Sequence, residues 1–129
     1  MVVNKRASES DMTRQALKIG TPPGVNLSVL APEKAIANIQ NGNYVNQRVF
    51  VVARYIQDAY DLFKGGVKFV RLNLGNVTQN VGETYVLAKT VRVSADELKM
   101  LKEMRDAGIR ITAQFRADDP LEDVDLDRY

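Results

Sequence analysis

The chain has 129 residues, 45% apolar and 26% charged, with a formal net charge of +2, the composition of one ordinary soluble domain large enough to bury a core. Its basic residues are scattered among acids and its few aromatics do not interleave with them, so neither a nucleic-acid patch nor a base-stacking platform is expected. The absence of cysteine and histidine removes disulfides, thiol and imidazole nucleophiles and His-ligated metal sites.

Residues 1–3 read as the end of a strand cut short. Ser8, Glu9, Ser10 and Asp11 offer caps and first-turn acids for a helix to about Ile19, closed by Gly20 and a rigid turn through Pro22 and Pro23. Val25, Leu27 and Val29 alternate as in a short strand. Pro32 then starts a helix that turns Ala35, Ile36 and Ile39 inward and ends at Asn41-Gly42-Asn43.

Residues 48–53 (RVFVVA) and 67–74 (VKFVRLNL) are apolar runs flanking a helix striped by Ile56, Ala59, Tyr60, Leu62 and Phe63. Gly65-Gly66 stops that helix. Two strands so joined are expected to run parallel, as neighbours or near neighbours in one sheet. Residues 84–93 read as two extended pieces. Ser94 and Glu97 have the spacing of a capping box, before a helix with Leu98, Leu101, Met104 and Ala107 on one face and Gly108 at its end. Residues 109–115 (IRITAQF) alternate like a half-buried strand near a sheet edge. The acidic end, DDPLEDVDLDRY, is expected to be frayed or loosely docked. The pattern predicts an α/β fold, a mainly parallel open sheet with helices on both faces, over residues 1–120, with an acidic tail at 121–129.

Ligands in such sheets bind past the carboxyl ends of the strands. The loop holding Asn73, Gly75, Asn76 and Thr78 offers backbone amides, amide side chains and a hydroxyl that can cradle a phosphate, although the same residues also suit a plain turn. Arg54, at the end of another strand, can meet a phosphate or a partner's carboxylate, or simply be a surface charge. Asn4 stands at the corresponding edge of the first strand, as a ligand or as a turn residue. The tail acids lack the glycine and closing glutamate of a calcium loop, so no metal site is expected, and no motif implies a cofactor. No catalytic constellation is present. No stretch reaches the roughly 20 apolar residues that span a bilayer, and no signal-like run opens the chain, so a cytoplasmic protein is expected.

The run DAYDLFKGGVKFVRLNLGNV, followed by KTVRVSADELKMLKEMRDAGIRITAQF, resembles the IIB subunit of the mannose/fructose/sorbose family of the sugar phosphotransferase system (PTS). The helix ending in GGV, the strand ending in N-x-G-N and the V-S-x-D-E helix entry carry the likeness, which runs from Val2 to about Pro120. It implies a phosphoryl relay from a IIA partner to a sugar carried by membrane IIC and IID partners, at the inner face of the membrane. It implies also that the loop of residues 73–78 borders the phosphoryl site, and that Asn4, Arg54 and residues 73–78 form an inherited strand-end surface that shapes and docks. Arg54-Tyr55-Ile56 departs from the family's small polar residue and Asn-Pro, and Lys5 stands where an acid is usual.

The family accepts the phosphoryl group on a histidine in an R-L-I-H-G-Q loop after its first strand. That loop has no counterpart here. Met1-Val2-Val3-Asn4 falls on the end of the family's second strand, leaving about 30 residues, one βα unit, unmatched. The expectation is a component whose own phosphoryl chemistry is absent: an incomplete or wrongly started chain, a truncated docking or regulatory module, or a chain completed by another. Unpaired strand edges would favour a homodimer. A small-ligand binder unrelated to sugar transport is the remaining alternative.

Overall fold

A computed structural model describes residues 1–21, 23–24, 26–42, 49–77 and 84–129. The chain folds as α/β, with five helices and parallel strand pairing, and divides into two compact units, Met1–Val67 and Lys68–Tyr129.

The first unit carries strand β1 (Val2–Val3), helices α1 (Lys5–Ser8) and α2 (Asp11–Ile19), strand β2 (Val29–Leu30), helix α3 (Pro32–Gln40), strand β3 (Val52–Ala53) and helix α4 (Ile56–Lys64). Its sheet has the order β2-β1-β3, all parallel, in the registers Val3↔Leu30 and Val3↔Ala53. The truncated-looking first strand is therefore the middle one. Met1 takes part in that ladder, its ammonium donating to Phe50 O (2.7 Å) while its carbonyl accepts from Val52 N–H (2.8 Å).

The expected helix ending at Ile19 is α2, and a further short helix, α1, precedes it. Asn4 caps α1 by accepting from Ala7 N–H (2.9 Å), and Ser10 caps α2 through Thr13 N–H (3.2 Å). Helix α3 starts on Pro32, as expected, and α4 ends at Gly65-Gly66, where Gly66 has φ +91° and Gln40 on α3 donates to Gly65 O. Val3, Ala35, Ile56, Ala59 and Leu62 are buried.

The second unit holds strands β4 (Arg71–Leu74), β5 (Tyr85–Ala88) and β6 (Val91–Val93), helix α5 (Ala95–Asp106), and strands β7 (Arg110–Ala113) and β8 (Glu122–Asp123). Strands β4 and β7 are parallel, β8 is antiparallel to β7, and β5–β6 is a hairpin. The expected capping box is formed, with Ser94 Oγ accepting from Glu97 N–H (3.2 Å) and Ser94 N–H donating to Glu97 Oε1 (2.9 Å).

Two expectations are corrected here. β7 lies next to the edge strand β8, between it and β4, but is not half-buried: Ile111, Thr112 and Ala113 are all buried. Thr112 is polar yet fully buried, because its hydroxyl donates to Asn73 Oδ1 (3.1 Å) on the neighbouring strand. Nor is the acidic end frayed. Glu122–Asp123 pairs with β7, Arg110 forks onto both Asp123 oxygens (2.6 and 3.0 Å), and Leu126 is 1% exposed. Tyr129 closes the segment, its hydroxyl donating to Val86 O (2.7 Å) and its carbonyl accepting from Lys102 Nζ (2.6 Å). The Arg110 partner holds the Asp123 carboxyl below the usual carboxylate range.

The strand–helix–strand stretch is divided at Val67. β3 bonds to β1, and β4 bonds to β7. Within residues 48–53 only Val52–Ala53 is strand, and Arg48 lies outside the described residues, as do Val25 and the 43–47 segment.

Candidate functional site

In the first unit, strand order reverses at β1: the chain leaves it for β2 on one side, while β3 lies on the other. Crevices at such reversals, past the carboxyl ends of the strands, are where open α/β sheets bind ligands. Asn4 follows β1 and Arg54 follows β3, so both stand at that edge. Their roles differ. Asn4 is 8% exposed and its side-chain oxygen is committed to the α1 cap. Arg54 is exposed and lies over the Tyr55 ring (5.4 Å), an arrangement that leaves the guanidinium edge facing water. Of the two, only Arg54 presents a group to a partner.

A third residue belongs to this edge and was not legible in the sequence. Asp58, in the first turn of α4, has one buried carboxylate oxygen, Oδ2, without a hydrogen-bond partner among the described residues. Burial pushes this carboxyl above the ordinary aspartate range. The Tyr55 amide and the Asn4 side chain oppose the shift, and the neighbouring Asp61 charge adds to it. In the sequence Asp58 is one polar position among the apolar stripe of a helix; a search for first-turn acids would have flagged it, but not its burial.

The sign of its pH effect follows. The folded chain holds the Asp58 proton to higher pH than the unfolded chain, so stability falls as pH rises through the window above the ordinary Asp value of about 3.9. Asp58→Asn should remove that decline and leave the protein more stable than the parent at neutral pH. Denaturant melts across the acidic range would show it; an unchanged pH slope, or a variant less stable at neutral pH, contradicts the assignment.

In the second unit, Asn73, Gly75 and Asn76 do lie at the carboxyl end of β4. Asn73 is a strand residue, not a loop ligand. Its amide NH₂ donates to Gln114 O (3.0 Å) and its oxygen accepts from Thr112, so both ends are used to lock β4 to β7. Gly75 receives the Thr90 hydroxyl on its carbonyl (2.7 Å) and has no positive φ. Asn76 is exposed, and Thr78 lies outside the described residues. The structure thus brings Asn4 and Arg54 together at one sheet edge and Asn73, Gly75 and Asn76 at another. Among the described residues no cluster of acidic side chains could hold a metal ion. No helix among them is long and apolar enough to cross a membrane.

The fold has counterparts among solved structures. The crystal structure of the IIBSor domain of the sorbose permease from Klebsiella pneumoniae matches with a TM-score of 0.84 at 24% identity, over 95% of this chain and 74% of that one. A PTS-dependent N-acetylgalactosamine IIB component from Streptococcus pyogenes matches with a TM-score of 0.85 at 21% identity, over 99% and 79%. Likeness at these identities establishes the fold. In sequence, the sorbose-specific EIIB component of Lacticaseibacillus casei is 28% identical over 96% of this chain and 75% of its own length. The mannose-specific EIIAB component of Escherichia coli K12 is 28% identical over 93% of this chain and 37% of its own length. The model of the family "PTS system sorbose subfamily IIB component" matches residues 1–126, and to that family this chain belongs.

Proposed function

We propose that this chain serves as the IIB surface of a sugar-uptake phosphotransferase, engaging a IIA phosphodonor domain and membrane IIC and IID partners, and that the phosphoryl group is not carried on its own residues. The observation that carries this reading is a family match over residues 1–126 in a polypeptide without a single histidine. Phosphoryl relay of the kind the resemblance implies needs a nucleophilic imidazole. The sorbose and mannose names of the relatives support a hexose-type cargo, and the EIIAB name supports a IIA partner. Work at the inner face of the membrane, from the cytoplasm, follows from such partners.

Each unit offers its own candidate docking edge in this proposal: exposed Arg54 with Asn4 shaping the loop behind it in the first, and exposed Asn76 with Asn73 and Gly75 behind it and Thr78 next in the chain in the second. An exposed guanidinium suits a partner's carboxylates or a phosphoryl group. Calorimetric titration with a purified IIA domain of a sorbose or mannose system should show saturable binding, weakened about tenfold by Arg54→Glu, as for loss of one charge-assisted contact. No binding would overturn the partner assignment, and equal binding by Arg54→Glu would remove this surface from it. The missing histidine also favours a second reading, a docking or regulatory module of IIB ancestry. In that reading the chain binds IIA but does not restore sugar phosphorylation when added to IIA, IIC and IID.

A further inference from the structure

We infer that the groove at the carboxyl end of β7 binds a small organic anion, a phosphate monoester or carboxylate with an apolar body, between Lys89 and Arg116. The cavity measures about 540 Å³ and lies entirely within the second unit. That size falls in the range of small-molecule sites. One wall is the turn between β5 and β6, the other the segment leaving β7. It opens past the carboxyl ends of the parallel pair β4–β7, where Gln114 N–H donates to Leu74 O (3.2 Å). None of Asn73, Gly75 and Asn76 lines it, so it is distinct from the surface described above.

The hydrogen-bond partners in the groove favour an incoming anion. Asp119 is already committed, its Oδ2 accepting from Arg116 N–H (3.0 Å). The Gln114 amide NH₂ is spent on the carbonyls of Ala117 and Asp119 (3.2 and 2.8 Å). The Thr90 hydroxyl proton is given to Gly75 O, which leaves its oxygen free only to accept. Two strong donors are left over. Lys89 and Arg116 both line the cavity, both are exposed, and neither side chain has a carboxylate partner among the described residues. The Arg116 guanidinium lies over the half-exposed Phe115 ring (6.0 Å), and both residues line the groove. Ala88, Ala113, Phe115 and Pro120 supply apolar surface for the body of the ligand. Asp119 and Glu122 are the two opposing charges in the lining, and Glu122, which forms no ion pair among the described residues, sets a test of sign.

The full chain would be titrated with phenyl phosphate, inorganic phosphate and benzyl alcohol, following amide shifts by NMR. Phenyl phosphate should saturate with millimolar or better affinity, moving the Thr90, Phe115 and Arg116 amides, and should bind more tightly than either other probe. Lys89→Gln and Arg116→Gln should each weaken it about tenfold, and Glu122→Gln should strengthen it, with melting temperatures unchanged because all three side chains are exposed. Benzoate in place of phenyl phosphate separates the two ligand sources: tighter binding of the one names the phosphate or the carboxylate as the natural head group. No groove shifts with either anion would overturn the proposal. So would benzyl alcohol binding as tightly as phenyl phosphate, or unchanged affinity in both cation variants. A IIA partner plays no part in this experiment, so its outcome does not depend on the docking proposal.

Discussion

Val3→Asp should abolish the fold of the first unit. Val3 is fully buried in the central strand of the β2-β1-β3 sheet, with β2 and β3 bonded on either side of it. Placing an unpaired carboxylate there costs several kcal/mol after relaxation. That is comparable with the whole stability of a typical domain, about 5–15 kcal/mol. Val3→Ala serves as the graded control: removing two buried methyl groups should cost about 1.5–2.5 kcal/mol while the fold persists. The readout is residue-resolved hydrogen exchange at Ala35, Ile56 and Leu62, which share the unit's core. Protection there in Val3→Asp equal to the parent's would mean that the first three residues are dispensable and β1 is not the centre of this sheet.

At the opposite end of the chain, Leu126→Ala should destabilise the second unit by about 2–5 kcal/mol, the cost of emptying a buried leucine site. For a unit of this size the melting temperature should fall by about 10 °C or more. Leu126 is as buried as Leu101 and Met104 on α5, and the ion pair of Arg105 with Asp127 (2.6 Å) tethers the same segment to that helix. The pair is exposed, so Asp127→Ala should change stability far less than Leu126→Ala does. A Leu126→Ala protein that melts like the parent would show the C-terminal segment to be an appendage.

These two positions mark the limit of what the sequence conveys. A strand of two residues has no periodicity, so Val2–Val3 gives no sign that it will be flanked on both sides. Leu126 stands alone among acids, and a single leucine in DDPLEDVDLDRY carries no pattern against the surrounding charge. Where local chemistry decides, the sequence was readable. Pro32 opens α3, Gly65-Gly66 closes α4, Ser94 and Glu97 cap α5, and residues 84–93 make a two-part extended segment.

The candidate residues divide on the same line. Asn73 has the composition of a loop ligand, but its amide is consumed by cross-strand bonds to Thr112 and Gln114 that no local pattern encodes. The bond to Thr112 satisfies its buried hydroxyl, and the pairing of β8 on the other side places β7 inside the sheet. Arg54 and Asn76 are exposed at strand ends. Lys89 and Arg116 are 27 positions apart in the chain, and no local pattern shows that the turn between β5 and β6 and the exit of β7 bring them to one cavity. The family likeness was legible because it rests on the order of several short signals, each tied to an element boundary.

In the proposed role this polypeptide carries a IIB surface without a phosphoryl acceptor of its own. The most direct test is to incubate it with a IIA domain bearing radiolabelled phosphohistidine and to follow the label by native separation and acid treatment. The chain should bind the labelled IIA while no acid-labile phosphate appears on its own band. Stable transfer of label to this chain, at any residue, would contradict the claim.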